Sequence, residues 1–203
     1  MPGSFVGSSS SAPLARSFYE RHTVRVAKEL LGKVLVRRLR STVLRGIIVE
    51  AEAYRGQDDP ASHAYVGRTE RNQVMFGQPG HAYVYFTYGM HYCLNVTTEP
   101  IGQAGAVLIR AIQPVKGIEA MMKRRGTNRI RDLTNGPAKL TEAFAVTTAL
   151  NGHDLTTVGR LFIAENDKPE AFRIASTSRI GIGAGVEKPW RFFIEGNPFV
   201  STK

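Results

Sequence analysis

Residues 45–54 read RGIIVEAEAY, and the alternation along them predicts a β-strand. The odd positions from Ile47 onward are apolar and become smaller, whereas the even positions after Ile48 are two acids and a tyrosine. Side chains alternate across a strand, so Glu52 and Tyr54 are expected on one face. That face is either the wall of a polar cleft or a solvent-exposed edge, and the pattern alone favours neither.

Residues 81–97 read HAYVYFTYGMHYCLNVT, which predicts a β-hairpin that turns at residues 88–90. Tyr83 and Tyr85 are expected on the same face of this hairpin. Tyr88 lies beside the turn glycine, where its ring can protrude and contact a partner. The alternative is that the ring folds back onto the core.

The composition predicts one globular domain with a polyanionic partner. The 203 residues contain 27 Lys and Arg against 17 Asp and Glu, a formal net charge of +10. Such a balance favours nucleic acid or an acidic membrane surface, and the alternative is an enzyme that is merely basic. We expect one domain over residues 15–203, preceded by a mobile segment at residues 1–14 that is rich in Ser, Gly, Ala and Pro.

The single cysteine and the hydropathy predict a reducing location. Cys93 cannot form an internal disulfide, and it is expected to be a buried apolar side chain. No apolar run approaches the ~20 residues that a membrane span needs. The N-terminus does not read as a secretory signal. We therefore expect the protein in the cytoplasm, associated with the nucleoid in a bacterium, or in the nucleus of a eukaryote.

Helices and further strands are predicted around these two segments. Thr23 is expected to cap a helix over residues 24–31, which Gly32 ends. Other helices are predicted over residues 114–125 and 137–144, each with a proline at its start. Further strands are predicted over residues 33–39, 104–112, 161–163, 179–182 and 190–194.

Several charged residues suggest ligands. Asp58 and Asp59 lie in a polar loop over residues 57–72, but no regular His and Asp spacing accompanies them, so no metal site is predicted. Arg110 lies in an otherwise apolar strand, where it needs a carboxylate or a bound phosphate as its partner. Lys139, in the first turn of a predicted helix, can also hold a phosphate.

Several motifs in register resemble those of one enzyme family. They are IVEAEAY at residues 48–54, His63, RN at 71–72, MF at 75–76, PG at 79–80, YVY at 83–85, YGM at 88–90, Cys93, Asn95, VLIR at 107–110, GPAKL at 136–140 and KPWRF at 188–192. This set closely resembles the alkyladenine (3-methyladenine) DNA glycosylases, the vertebrate-type enzymes and their bacterial homologues. The resemblance runs from about residue 16 to residue 202, in the same order.

The resemblance implies a fold and an activity. The fold would be mixed α+β, a single domain around a curved antiparallel sheet with peripheral helices and a protruding β-hairpin that inserts into DNA. The activity would be that of a monofunctional DNA glycosylase of base excision repair. It would flip alkylated or deaminated purines out of double-stranded DNA and hydrolyse the N-glycosidic bond. No cofactor is implied, and we expect a monomer.

Carried over by position, the resemblance also implies roles for single residues. Glu52 would activate water, a choice that spacing cannot make between Glu50 and Glu52. The base pocket would be formed by Tyr54, His63, Tyr85 and Asn95, with Asn95 disfavouring normal guanine. Tyr88 and Met90 would enter the DNA stack, and the DNA backbone would be contacted by Arg68, Thr69, Arg71, Arg110 and Lys139. Without the resemblance, Asn95 reads as a strand-end hydrogen-bonding residue and His63 as a loop-packing histidine.

Two other functions are compatible with parts of the sequence. A nucleic-acid-binding module without catalysis would have the same charge and aromatic residues, but it gives no reason for an acid in a pocket. A nucleoside hydrolase would have no use for the basic surface or for a protruding Tyr88. No lysine lies within residues 46–97, which favours water over an amine as the nucleophile.

Overall fold

The computed structural model describes residues 12–201, and a long central strand organises the sheet within them. In chain order, the eight strands of this range are β1 (Val34–Arg38), β2 (Val43–Arg55), β3 (Ala82–Thr87), β4 (His91–Thr97), β5 (Gly105–Lys116), β6 (Leu161–Ala164), β7 (Ile174–Thr177) and β8 (Arg191–Ile194). They form one antiparallel sheet in the order β3-β4-β5-β2-β1-β6, and β8 pairs with both β2 and β7.

Strand β2 pairs with one strand along one edge and with two successive strands along the other edge. Along one edge it pairs with β5 over nearly its whole length. Along the other edge it pairs with β1 near its start and with β8 around Glu50–Glu52. The segment that carries the two acids therefore lies between β5 and β8.

Short helices cover one face of the sheet. They are α1 (Arg16–Tyr19), α2 (Thr23–Glu29), α3 (Ile118–Arg125) and α4 (Pro137–Ala143), with single 3₁₀ turns at Gln73–Phe76, Ile130–Asp132 and Thr148–Leu150. Helix α2 packs on β2 and β5, and α4 packs on β4 and β5. The main core lies between these helices and the sheet, and it includes the fully buried Tyr19, Leu30, Ile109 and Phe144. The expected mixed α+β fold around a curved antiparallel sheet is confirmed. Strands β3 and β4 pair as a hairpin, and its insertion into DNA stays a prediction.

A β-bulge changes the alternation that the sequence predicts for β2. Ile48 pairs with Ile112 and Glu50 pairs with Ala111, so that Val49 has no partner residue on β5. Ile48 and Val49 therefore both join the core. Beyond the bulge the alternation is as predicted: Glu52 and Tyr54 share a face and are hydrogen-bonded to each other.

Three predicted elements are wrong in detail. Pro114 does not begin a helix, because β5 continues to Lys116 and pairs Pro114 with Gly46 at an irregularity of the ladder. The helix begins at Ile118, after Gly117 reverses the chain with a φ of +79°. Residues 179–182 form a loop and not a strand, since β7 ends at Thr177.

The beginning of α2 differs from the prediction as well. Thr23 is the first residue of the helix and does not cap it with its own side chain. Its backbone amide donates to Oε1 of Glu99 at 2.8 Å, and its hydroxyl donates to the same oxygen at 2.7 Å. The Glu99 carboxylate, 76 residues away in sequence, thus accepts hydrogen bonds from the first turn of α2. Negative charge is favourable there because the helix dipole places its positive end at the N-terminus.

The N-terminal boundary of the packed domain can be followed from Pro13 onward. Most of the segment predicted to be mobile, residues 1–11, lies outside the described residues. Leu14, the last residue of that segment, is buried, and its amide donates to the carbonyl of Ile163 at 2.8 Å. Pro13 forms an isolated bridge with Ala164. Within residues 12–201, no helix is long and apolar enough to cross a membrane.

Candidate active site

A cavity of about 400 Å³ opens beside β2 and the hairpin. Five tyrosine and histidine side chains contribute to its lining: Tyr54, His63, Tyr83, Tyr85 and Tyr88. Other lining residues come from the 180–182 loop, from β4 and β5, and from Pro137 at the start of α4. The volume falls within the range of about 300–1,000 Å³ that is usual for small-molecule pockets.

The aromatic wall is held by contacts between its own members. His63 Nδ1 lies 2.9 Å from the Tyr83 hydroxyl, and the His63 ring meets the Tyr85 ring edge to face with centroids 4.7 Å apart. The guanidinium of Arg71 lies over the same Tyr85 ring, 5.1 Å from its centroid. Burial, together with the nearby Arg71, lowers the pKa of His63. Both effects favour the neutral imidazole.

Asn72 fixes the loop that carries His63. Its amide nitrogen donates to the carbonyls of His63 and Gly67, both at 2.8 Å. Its amide oxygen accepts from the backbone of Thr69 at 2.6 Å. Asn72 is itself buried, so its side chain satisfies three backbone groups of this loop away from solvent.

Glu52 lies directly behind the cavity and is fully buried. Its Oε2 accepts from the Tyr54 hydroxyl at 2.8 Å and from Arg110 Nη1 at 3.2 Å, and its Oε1 accepts from the amide of Ile180 at 2.7 Å. These three donor residues line the cavity, whereas Glu52 does not itself form part of the lining. Burial raises the pKa of Glu52, and the opposing effects of Arg110 and the Ile180 amide offset this only in part.

The structure distinguishes the two acids that the sequence left equivalent. Glu50 is also fully buried, but it is enclosed by Arg110, Arg191 and Ser201 and does not line the cavity. All three residues that donate to Glu52 line the cavity, whereas of the donors to Glu50 only Arg110 does so. Geometry thus favours Glu52 as the acid that can act on a ligand.

Sequence analysis missed Arg179, which joins several parts of the site. Its side chain is fully buried and forms two charged hydrogen bonds with Asp59, at 2.6 and 2.7 Å. It also donates to the carbonyl of Ala53 at 2.9 Å and stacks on the Tyr54 ring, 4.7 Å from the centroid. In the sequence, Arg179 and Asp59 are two opposite charges 120 residues apart, and their spacing gives no indication that they form a pair.

The hairpin tip places an aromatic ring in solvent. The Tyr88 side chain is 82% exposed and the Met90 side chain 68% exposed, so the alternative in which Tyr88 folds back onto the core is wrong. Tyr88 and Gly89 both have positive φ, at 51° and 68°. The Met90 amide donates to the Thr87 carbonyl at 3.2 Å and closes a tight turn with Tyr88 and Gly89 at its centre, and the ladder resumes with His91 opposite Thr87. Tyr88 also borders the cavity.

Asn95 lies in the cavity wall and is almost fully buried. Its amide nitrogen donates to the carbonyl of Tyr83, its partner residue across the hairpin, at 3.0 Å. The hydrogen bond to backbone that the residue type alone suggested is therefore present. It fixes the side chain within the cavity wall, so the two interpretations of Asn95 are compatible.

The residues expected to contact the DNA backbone lie in different settings. Arg68 and Thr69 are exposed in the 57–72 loop, and Arg71 leans over the aromatic wall. Lys139 is half-buried and donates to Asn135 at 2.8 Å. Arg110 is only 6% exposed and pairs with both glutamates, so its predicted anionic partner is a carboxylate pair in this structure.

Asp58 and Asp59, the two adjacent acids of the 57–72 loop, both form ion pairs with arginines of the protein itself. Asp59 is fully buried and paired with Arg179, whereas Asp58 is exposed and pairs with Arg55. Across residues 12–201, no cluster of three or more His, Cys, Asp or Glu side chains is placed to hold a metal ion.

Comparison with known proteins identifies the family. The model described as Methylpurine-DNA glycosylase (MPG) matches residues 17–198. The chain therefore belongs to the methylpurine-DNA glycosylase family. Its members are enzymes that act on DNA in DNA repair, and this chain is accordingly a DNA glycosylase.

Relatives in bacteria and archaea match along almost the whole chain. A protein of Carboxydothermus hydrogenoformans is 54% identical over 190 residues, covering 94% of this chain and 99% of the relative. Proteins of Koribacter versatilis and Methanocella arvoryzae are 46% and 47% identical, covering 95% and 94% of this chain and 94% and 96% of their own lengths. All three carry the name "Putative 3-methyladenine DNA glycosylase".

Proposed function

We propose that this protein excises alkylated and deaminated purines from duplex DNA by hydrolysing the N-glycosidic bond, which leaves an abasic site. The candidate bases are 3-methyladenine, 7-methylguanine, hypoxanthine and ethenoadenine. One observation carries the proposal: the buried Glu52 carboxylate lies directly behind an aromatic cavity of about 400 Å³, beside a hairpin tip with an exposed tyrosine. We infer that the enzyme acts as a monomer on the damaged nucleotide.

Base flipping accounts for the aromatic residues. A base inside a duplex is out of reach, and turning its nucleotide outward costs a few kcal/mol. The exposed ring of Tyr88 would fill the space that the nucleotide leaves, as wedge side chains do in the minor groove. Tyr54 and Tyr85 would stack on the base, which contributes about 1–3 kcal/mol per ring. An electron-poor alkylated purine suits an electron-rich tyrosine face.

Glu52 would act as the general base for water. The carboxylate takes a proton from water while the water oxygen bonds to C1′ of the sugar and the C1′–N bond breaks. The electron pair of that bond leaves with the base, and the negative carboxylate stabilises positive charge on the sugar. The longest of the hydrogen bonds on Glu52 comes from Arg110, at 3.2 Å.

The lining of the cavity supports water as the nucleophile. A glycosylase that also cleaves the strand needs a reactive amine, and no lysine contributes to the lining within the described residues. A cationic base such as 3-methyladenine leaves as a neutral molecule. A neutral base such as hypoxanthine needs a hydrogen-bond or proton donor as it leaves.

Asn95 would exclude normal guanine. Guanine carries an exocyclic 2-amino group that adenine and hypoxanthine lack. The Asn95 side chain is 3% exposed and tied to the backbone of Tyr83, so it has little freedom to yield to that group. Rejection by a fixed polar side chain is an ordinary source of specificity.

A base-release panel tests the proposal. Duplexes that contain each of the four damaged bases, and an undamaged control duplex, are incubated with the protein and free bases are measured. We expect release from the damaged duplexes and no guanine from the control. Glu52→Gln should lower the single-turnover rate at least about 100-fold, since general-base catalysis contributes about 10²–10⁴-fold. The variant should still bind the damaged duplex.

The same panel separates the competing functions. No released base at any salt concentration would leave a DNA-binding module without catalysis. Faster hydrolysis of free nucleosides than of duplex DNA would indicate a nucleoside hydrolase. A normal excision rate for Glu52→Gln would refute the role assigned to this residue.

A further inference from the structure

The two acids of β2 share one arginine. Arg110 Nε donates to Glu50 at 2.9 Å, and Arg110 Nη1 donates to Glu52 at 3.2 Å. The side chains of both acids are fully buried, and that of Arg110 is 8% exposed. The negative charge of Glu50 opposes ionisation of Glu52, and the cation that binds both acids acts in the opposite sense.

Glu50 is bound by more donors than an ordinary ion pair has. Besides Arg110, it accepts from Arg191 Nε at 2.7 Å, from the Ser201 amide at 2.7 Å and from the Ser201 hydroxyl at 2.8 Å. These contacts join β2, β5, β8 and the segment at residue 201. Because the guanidinium is planar and rigid, the bond from Nε to Glu50 determines where Nη1 of Arg110 points. It points at Glu52.

We propose that Glu50 is a positioning residue, which holds Arg110 so that a single terminal nitrogen reaches Glu52 and which competes with Glu52 for the charge of this arginine. The proposal rests on the proposed function, in which Glu52 is the general base. Glu50 itself does not line the cavity and would touch neither the base nor the water.

Charge controls how readily Glu52 gives up its proton. Burial raises its pKa, Arg110 lowers it, and Glu50 raises it. Around Glu52 stand Arg110 from β5, Glu50 and Tyr54 from β2, the Ile180 amide from the 179–182 loop, Arg191 from β8 and Cys93 from β4. Without the negative charge of Glu50, Glu52 is the only carboxylate that Arg110 compensates, so the pKa of Glu52 falls. Removing the positive charge of Arg191 leaves Glu50 less compensated and has the opposite effect.

The experiment measures pH–rate profiles for two substitutions that change the charge in opposite directions. Single-turnover excision of hypoxanthine from a duplex is followed with saturating enzyme from acidic to neutral pH. The acidic side of the profile reports ionisation of the general base in the complex. We expect it to move to lower pH in Glu50→Gln and to higher pH in Arg191→Gln. Ser201→Ala, which removes one hydroxyl and no charge, should leave its position unchanged.

A purely structural role would change rates without moving the profiles in opposite directions. An unchanged acidic side in folded Glu50→Gln and Arg191→Gln, or movement of both in the same direction, would overturn the proposal. If Glu50→Gln does not fold, Arg191→Gln decides alone: movement to higher pH supports the proposal, and no movement or the reverse contradicts it. Active Glu52→Gln would instead refute the proposed function, so the two failures are distinguishable.

Discussion

Tyr88 is held in a backbone conformation that side chains disfavour. Its φ of 51° lies in the left-handed region, and its ring is 82% exposed and so gains little from packing. A left-handed conformation costs an ordinary residue about 1–2 kcal/mol, and glycine avoids that cost. A tyrosine at this position therefore points to a role outside the folding of the domain.

We expect Tyr88→Gly to separate stability from base flipping. The free energy of unfolding should stay unchanged or rise by up to about 1 kcal/mol, because the turn is relieved of strain. Flipping should weaken, because no ring enters the stack. Chemical denaturation measures the first effect, and the fluorescence of 2-aminopurine beside the lesion measures the second. Tyr88→Phe keeps a ring and should flip as the parent does; full flipping by Tyr88→Gly would contradict the role of the ring.

His63 should titrate below the usual range of a histidine. Burial lowers its pKa, and the nearby Arg71 lowers it further. The imidazole should therefore stay neutral while exposed histidines become charged as pH falls. A two-dimensional NMR titration checks this, and Arg71→Gln should move the His63 transition to higher pH. A His63 transition above that of exposed histidines would show that the loop is arranged differently.

At the scale of elements, the loops around the cavity depend on one buried ion pair. Arg179 and Asp59 join the 179–182 loop to the 57–72 loop, and both side chains are fully buried. The amide of the next residue, Ile180, donates to Glu52. The Arg179 guanidinium therefore holds the two loops together and also fixes the position of the Ile180 amide that donates to Glu52.

We expect Asp59→Asn to destabilise the protein by about 3–5 kcal/mol, because it leaves Arg179 buried without a counter-charge. The adjacent Asp58→Asn is a matched control. Its carboxylate is 54% exposed where it pairs with Arg55, and an exposed pair is worth about 0–1 kcal/mol. Denaturant unfolding of both variants measures the difference. Equal losses of stability would show that burial does not set the strength of this pair.

Predictions from the sequence were correct where the local pattern of residues controls the structure. They were wrong where contacts between residues distant in the sequence control it. Alternation placed Glu52 and Tyr54 on one face, and the turn glycine placed Tyr88 at the hairpin tip. Pro114 was misassigned, because an irregularity in the β2–β5 ladder accommodates a residue that cannot donate a hydrogen bond. The choice between Glu50 and Glu52 needed strands that pair across the sequence, which no local spacing encodes.

At the scale of the whole molecule, positive charge should dominate the affinity for DNA. The net charge is +10, and several buried acids are already paired within the protein. We expect the logarithm of the association constant to fall linearly with the logarithm of salt concentration, by about 0.9 for each phosphate contacted. The thermal midpoint of the free protein should change little over the same range, because buried pairs are weakly screened. A flat salt dependence of binding would contradict a basic DNA-binding surface.

The position of β2 between strands from distant parts of the chain has a consequence for biosynthesis. The amide on Glu52 comes from 128 residues further along, and the one on Glu50 from 151 residues further along. Contacts over such separations form late, because a long loop must close first. A nascent chain that the ribosome has made only through β5 carries both acids but lacks these donors. The complete set of donors on the two acids can thus form only after the segment through Ser201 has been translated.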